Sequence, residues 1–231
     1  MRKRESIIRM GMSMFVAAGA LLITSEQIIA APIAIDNASF QDNDITSFDG
    51  TLGGDWVESE GHGFGILLLH NDQDPLNAFD GDQYAALSNR STPAGDTNFS
   101  QKVLTAGIVN GTTYTLSAYF RRINASQPED GAISFGFSDG TAVLATYNFD
   151  GTTNVLSHTA WVKHSVSFTA TTANAGDDLY IAFQNASSSG ASLNRVFIDA
   201  VSLEATPIPE PATLSLGLVG LGLLMKRKRI N

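Results

Sequence analysis

Residues 113–120 read TYTLSAYF, and this stretch decides the fold class because its apolar and polar side chains alternate. Successive side chains of an extended strand point to opposite faces. The alternation returns around residues 133–137, 166–170 and 179–184, and Asn-Gly or Asp-Gly pairs punctuate the chain between runs. Such alternation broken by turn pairs is typical of antiparallel strands. We therefore expect residues 31–205 to form an all-β domain, an antiparallel β-sandwich of the jelly-roll type.

The charge distribution excludes one class of partner. Residues 31–206 carry 20 acidic and six basic residues, whereas eight of the 14 basic residues lie near the two ends. An acidic body repels phosphate backbones, so we expect no nucleic-acid partner. The chain has no cysteine, which excludes disulfides and thiolate metal sites. An exported domain of this size without disulfides favours a bacterial origin.

The first 30 residues have the composition of a secretory signal peptide. Arg2, Lys3 and Arg4 precede an apolar run at residues 10–23, and small residues follow up to Ala30. The run is shorter than the ~20 residues that span a bilayer. We expect a signal helix, cleavage after Ala30 and export by the general secretion machinery; the alternative is an uncleaved membrane anchor.

The last 26 residues combine three features in order. A proline-rich linker is followed by the uncharged apolar segment 212–225 and a terminal basic cluster. This order resembles the PEP-CTERM sorting signal of Gram-negative bacteria, and the matching residues outside the apolar segment are Pro209, Glu210, Pro211, Lys226, Arg227, Lys228 and Arg229. The resemblance implies a short transmembrane helix and processing by an exosortase in an organism that makes exopolysaccharide. A plain C-terminal membrane anchor is the alternative.

Motifs along residues 31–205 carry a second resemblance. Residues 35–41 (IDNASFQ), 79–87 (FDGDQYAAL), 111–117 (GTTYTLS) and 197–203 (FIDAVSL) stand in the order found in galactose-binding-like jelly rolls and related carbohydrate-binding modules. The resemblance implies a structural calcium ion with Ser39, Gln41 and Asp199 as candidate ligands. Gln41 stands where the family usually has glutamate, which removes one ligand charge. The alternative is that Asp199 only caps or hydrogen-bonds near the first strand, and no other cofactor is expected.

Sugar binding requires exposed aromatic rings and polar groups that orient hydroxyls. The candidate carbohydrate-binding residues are Trp56, Tyr119, Arg121, Tyr180 and Gln184. Core packing is the alternative for Trp56, and for Trp161 it is the preferred interpretation.

The sequence shows no pattern typical of catalysis. The four histidines have no metal-ligand spacing, and there is no nucleophile-elbow motif. We therefore predict a non-enzymatic cell-surface or biofilm-matrix protein, exported to the envelope or extracellular matrix and associated with exopolysaccharide. A lectin-like adhesin is the alternative. A glycoside hydrolase and an ice-binding protein are less favoured, the latter because no regular threonine ladder is visible along the sequence.

Overall fold

A computed structural model gives the fold of the protein. It describes residues 29–42, 52–59, 66–71, 77–89, 97–104, 106–123, 133–149, 155–186 and 194–208. No helix in these ranges is long and apolar enough to cross a membrane. The sorting-motif residues 209–211 and 226–229 lie outside the described residues, as do the predicted apolar segments of the signal and of the tail.

The described residues form β-strands and no α-helix, which confirms the all-β prediction. The strands are β1 Ala31–Ile33, β2 Val57–Ser59, β3 Ile66–His70, β4 Gln83–Asn89, β5 Thr97–Leu104, β6 Thr112–Arg122, β7 Ile133–Ser138, β8 Val143–Phe149, β9 Val162–Thr169, β10 Leu179–Asn185 and β11 Asn194–Pro207.

Two antiparallel sheets share these strands. The six-stranded sheet has the order β3-β4-β11-β6-β9, with β1 also paired to β11. The five-stranded sheet has the order β2-β5-β10-β7-β8. Strand β11 lies in the middle of the six-stranded sheet and pairs with β4 over residues 194–198 and with β6 along most of its length.

The main core contains inward-facing residues of β3 to β11, as the alternation predicts for the strands in which it occurs. Tyr114, Leu116, Ala118 and Phe120 of β6 are buried in it. Phenylalanines of β5, β7 and β10 meet them, and Phe183 stacks against Phe99 with ring centroids 5.0 Å apart. Aromatic side chains bury large apolar areas and dominate the energetics of such a core.

Trp56 belongs to this core. It is 7 % exposed, and its ring lies 5.1 Å from that of Phe99 and 5.6 Å from that of Phe40. Its indole nitrogen donates to the carbonyl of Asn37 at 3.2 Å. Trp56 therefore packs in the core, as the alternative interpretation expected, and does not present an exposed ring to a sugar.

A ladder of hydroxyl groups joins β6 to β9. Thr113 pairs with Thr169 at 2.9 Å, and Thr115 pairs with Ser167 and Ser117 with Ser165, both at 2.8 Å. These pairs join residues 48 to 56 positions apart, so no spacing along one strand reveals them, and one of the three is a threonine–threonine pair.

Candidate functional site

A second apolar cluster covers the outer face of the six-stranded sheet, opposite the main core. Its buried members, here called the outer-face cluster, are Leu67, Leu69, Tyr84, Ala86 and Phe197. They alternate with core residues, so β3, β4 and the first half of β11 are buried on both faces. A sheet of a free monomer normally exposes polar groups on one face. This face is therefore the part of the described molecule that needs a functional explanation.

Aromatic rings dominate the outer-face cluster. The ring of Tyr84 lies 5.2 Å from that of Phe197 and 5.6 Å from that of Trp161, both at steep interplanar angles. Trp161 precedes β9 and is half-buried. Its indole nitrogen donates to the carbonyl of Asn77 at 2.8 Å. The cluster thus holds Trp161 at its border and not in the main core, where the sequence placed it.

Arg121 lies over these rings. It stands opposite Phe197 in the β6–β11 register and is 1 % exposed. Its guanidinium carbon is 5.5 Å from the ring centroid of Phe197 and 5.8 Å from that of Trp161. At such distances the ring faces attract a cation. Since arginine keeps its charge in proteins, this face combines aromatic surface with one buried positive charge.

Asp199 lies on β11, two residues after Phe197 and next to the outer-face cluster. It is fully buried and stands opposite Tyr119. Its Oδ2 accepts hydrogen bonds from the backbone N–H groups of Phe79 and Asp80, at 2.8 and 3.0 Å, and its Oδ1 accepts one from Ala200 at 2.7 Å. Burial raises the pKa of Asp199 to about 7, although the three N–H groups lower it.

A β-bulge places this carboxyl group. The β6–β11 register shifts between Asp199 and Ser202, and Ala200 has a φ of 46°. A bulge re-aims one side chain while the strand continues. Beyond it, Val201 and Leu203 return to the main core.

Residues 77–82, here called the covering segment, cross the outer face above Asp199. Phe79 is 46 % exposed and stacks on Tyr119, with ring centroids 3.5 Å apart. At its far end, the Asp82 carboxylate lies 3.4 Å from the imidazole of His70. The covering segment therefore closes over the buried carboxyl group and exposes an aromatic pair beside it.

The candidate calcium ligands meet the same segment. The Ser39 hydroxyl donates to the Asp80 carboxylate at 2.6 Å, and Gln41 bonds the backbone of residues 80, 82 and 83. Ser39, Gln41 and Asp199 therefore all form hydrogen bonds with residues 79–83. Among the described residues, however, no three carboxylate, histidine or cysteine groups are arranged to hold a metal ion.

The candidate sugar-binding residues do not form one surface. Tyr119 and Arg121 belong to the outer face of the six-stranded sheet, whereas Tyr180 and Gln184 alternate with core residues on β10 of the five-stranded sheet. A pocket of about 370 Å³ lies on that second face, lined by Asp55, Val57, Ser100, Lys102 and Tyr180. With Trp56 in the core, the five candidates occupy three separate places.

Sequence reasoning missed Tyr84 and Phe197 as site residues. A signal was present, because residues 66–69 read ILLL and residues 84–87 read YAAL, runs without the alternation seen in β6. Continuous apolar runs indicate strands buried on both faces. The rings of Tyr84, Trp161 and Phe197 are far apart in the sequence, so the sequence alone does not show that they meet.

Comparison with known proteins identifies related folds. The model of the HpiC1-like family, described as HpiC1 cyclase, matches residues 31–204. No curated protein matches the sequence.

Solved structures show the same architecture. One is the Stig cyclase Fisc from Fischerella sp. TAU, in complex with (3Z)-3-(1-methyl-2-pyrrolidinylidene)-3H-indole; it is 19 % identical, with a TM-score of 0.63 over 78 % of this chain and 100 % of that one. Another is a cyclase from Fischerella sp. TAU in complex with 4-(1H-indol-3-yl)butan-2-one, 20 % identical, with the same TM-score and coverage. An arabinofuranosidase bound to arabinose is 19 % identical, with a TM-score of 0.51 over 77 % of this chain and 27 % of that one. At such identities the likeness shows the fold.

Proposed function

Because the chain belongs to the HpiC1-like cyclase family, whose model covers residues 31–204, we propose that it is an enzyme that cyclises an aromatic substrate of the indole class. The family match overturns the prediction of a non-enzymatic matrix protein. It equally replaces the predicted exosortase-substrate, exopolysaccharide and biofilm roles and the lectin-like alternative. The observation that carries the proposal is the extent of this match, which spans every described strand except the last residues of β11.

The outer face of the six-stranded sheet supports an aromatic substrate. Tyr84, Phe197 and Trp161 present ring faces and edges at fixed angles. Among the aromatic residues named on this face, Trp161, Tyr119 and Phe79 are the ones that solvent reaches. Offset and edge-to-face contacts between rings are worth about 0.5–1.5 kcal/mol each beyond the area they bury. The two Fischerella cyclase structures hold indole compounds, and an indole is the chemistry that such rings bind.

Asp199 is the residue that we assign as proton donor. A cyclisation by acid needs a proton delivered to the substrate, a new C–C bond to the resulting cation, and loss of a proton to a base. The product is an isomer of the substrate, so atoms and electrons balance without a second reactant. A general acid works best with a pKa near the operating pH, and burial brings the pKa of Asp199 to about 7.

Access to Asp199 depends on the covering segment. The backbone N–H groups of Phe79 and Asp80 occupy Oδ2 of this carboxyl group. For the acid to reach a substrate, the segment has to move aside and break the Phe79–Tyr119 stack. In the closed arrangement it keeps water away from the carboxyl group, which is the origin of its raised pKa.

A structural calcium ion does not fit the predicted ligands as they are arranged. Gln41 turns its amide nitrogen, not its oxygen, toward the carbonyl groups of residues 39, 80 and 83. Both carboxylate oxygens of Asp199 already accept hydrogen bonds from backbone N–H groups, and the Ser39 hydroxyl donates to Asp80. Calcium requires six to eight oxygen ligands, so no catalytic step is assigned to such an ion.

We also propose that the cyclase is exported. The support is the basic start, the short apolar run and the small residues of segment 1–30. Detection of a mature N-terminus at Ala31 in fractionated cells tests this, and an uncut N-terminus in the cytosol contradicts it.

A turnover assay tests the proposed activity. Purified protein is incubated with 3-alkenylindoles, the products are separated by liquid chromatography, and their masses are measured by mass spectrometry. We expect a product of unchanged mass and new retention time, formed by wild type and lost in Asp199→Asn. If the Asp199→Asn variant retains full activity, Asp199 is not the proton donor. A wild type inert on all indole substrates would contradict the assigned substrate class.

A further inference from the structure

Three backbone carbonyl oxygens converge on one nitrogen atom of the protein. The side-chain Nε2 of Gln41 lies 2.6 Å from the oxygen of Ser39, 2.9 Å from that of Gln83 and 3.3 Å from that of Asp80. Ser39 and Gln41 precede the first gap in the described chain, whereas Asp80 and Gln83 belong to the covering segment and the start of β4. The nitrogen thus joins two segments about 40 residues apart.

Carbonyl dipoles repel one another when their oxygens point at the same place, so such a convergence requires a positive group at its centre. A calcium ion is one solution, with oxygen ligands at about 2.3–2.6 Å. A primary amide is another, because it carries two N–H donors. The distances match the second solution: two contacts are of hydrogen-bond length, and the third, to Asp80, is longer.

The opposite end of the same amide is also occupied. The Oε1 atom of Gln41 accepts a hydrogen bond from the backbone N–H of Asp82 at 3.2 Å. Between the two amide ends the chain passes through Gly81, which has a φ of 69°. A Cβ atom on Gly81 would lie 2.5 Å from Cδ and Oε1 of Gln41. The loop therefore wraps closely around the amide and leaves no room between it and the backbone.

We infer that the Gln41 amide occupies the position of a cation and closes the covering segment without metal. The nearby carboxylates already have neutral donors: Ser39 donates to Asp80, and backbone N–H groups donate to Asp199. A glutamate at position 41 would place a negative charge against three carbonyl oxygens and would need a cation between them. The single change from carboxylate to amide therefore converts a metal-dependent closure into a metal-independent one.

Calcium titrations of the full-length protein test the inference. Wild type and Gln41→Glu are unfolded by heat in EDTA and in millimolar calcium chloride, and calcium binding is measured by calorimetry. We expect the Tm of wild type to be the same in both buffers, with no heat of calcium binding. We expect Gln41→Glu to lose roughly 4–10 °C in EDTA and to regain most of it in calcium.

The control is Gln41→Met, which keeps the length of the side chain but has no amide. It should lose a similar number of degrees in both buffers. If Gln41→Glu does not fold without calcium but folds with it, the inference is supported more strongly. Calcium binding by wild type, or a Tm that rises with calcium in wild type, overturns it, as does a Gln41→Glu variant as stable as wild type in EDTA. None of these outcomes depends on the proposed cyclase activity, which the turnover assay tests separately.

Discussion

The two sheets of this molecule present contrasting outer faces. The six-stranded sheet covers its outer face with buried rings, a buried arginine and a buried aspartate. The five-stranded sheet exposes Tyr180 and an ion pair of Lys102 with Asp178, 2.6 Å apart and more than a third exposed. A pocket of about 370 Å³ lies on this face, whereas the buried rings and the two buried charged side chains lie on the outer face of the six-stranded sheet.

The two faces differ in how far their charged side chains are removed from water: Arg121 and Asp199 are buried, whereas Lys102 and Asp178 are more than a third exposed. A buried charge is costly unless rings or hydrogen bonds compensate it. Arg121 and Asp199 both receive such compensation, while Lys102 and Asp178 remain in water, where an ion pair is worth little. Costly arrangements of this kind are concentrated at functional sites.

The first prediction compares one ring from each face. Phe197→Ala removes a ring that is 1 % exposed and contacts Tyr84 and Arg121. We expect it to lower the free energy of unfolding by about 3–5 kcal/mol. Tyr180→Ala, on the open face, should cost less than about 1 kcal/mol. Urea denaturation measures both, and equal losses would show that the two faces are energetically alike.

The second prediction concerns pH. The folded pKa of Asp199 is about 7, above the ordinary aspartate pKa of 3.8, so the native state holds this proton more tightly than the unfolded state. The resulting stabilisation is complete below about pH 4 and is lost as pH rises through about 7. We expect a loss of about 2–4 kcal/mol over that window.

Asp199→Asn is the matched variant for this pH profile. Its absolute stability also falls, because an amide cannot accept all three backbone N–H bonds, so the slope with pH is the quantity to compare. The slope between pH 4 and 7 should be flatter in Asp199→Asn than in wild type. Parallel profiles would mean that this carboxyl group titrates normally.

The third prediction concerns ligand binding. Trp161→Ala should weaken the binding of 4-(1H-indol-3-yl)butan-2-one about tenfold, or about 1.4 kcal/mol, because one border of the aromatic surface is removed. Tyr180→Ala, the control on the opposite face, should bind like wild type. Isothermal titration calorimetry measures both affinities. The reverse pattern would move the site to the five-stranded sheet.

The fourth and smallest effect belongs to the hydroxyl ladder, which shares the six-stranded sheet but lies away from the rings. Thr115→Ala removes one rung. A cross-strand polar pair is worth about 0.2–1 kcal/mol, and the indole affinity should not change. A loss of affinity in this variant would extend the site along β6 and β9.

The sequence predicted the class of the fold well and the site poorly, for physical reasons. Strand alternation is a local property, so β6, β7, β9 and β10 could be read residue by residue. The outer-face cluster depends on which strands are neighbours, and residues 84, 121, 161 and 197 meet only because β4, β11, β6 and β9 are adjacent. No single-strand pattern contains that order.

The same limit explains Gln41 and Trp56. A motif resemblance paired Gln41 with Asp199, and both residues bond to the segment around residues 79–83, but it could not show that the amide nitrogen of Gln41 faces the carbonyl groups. For Trp56, the sequence left both sugar binding and core packing open, and the rings of Phe40 and Phe99 beside it show that it packs in the core.

A crystal structure of the protein with bound 4-(1H-indol-3-yl)butan-2-one would locate the substrate site. We expect the indole ring to contact Trp161 and Tyr119 on the outer face of the six-stranded sheet, with the covering segment displaced from Asp199. An indole ring bound beside Tyr180 and Lys102, with the outer-face cluster unchanged, would contradict it.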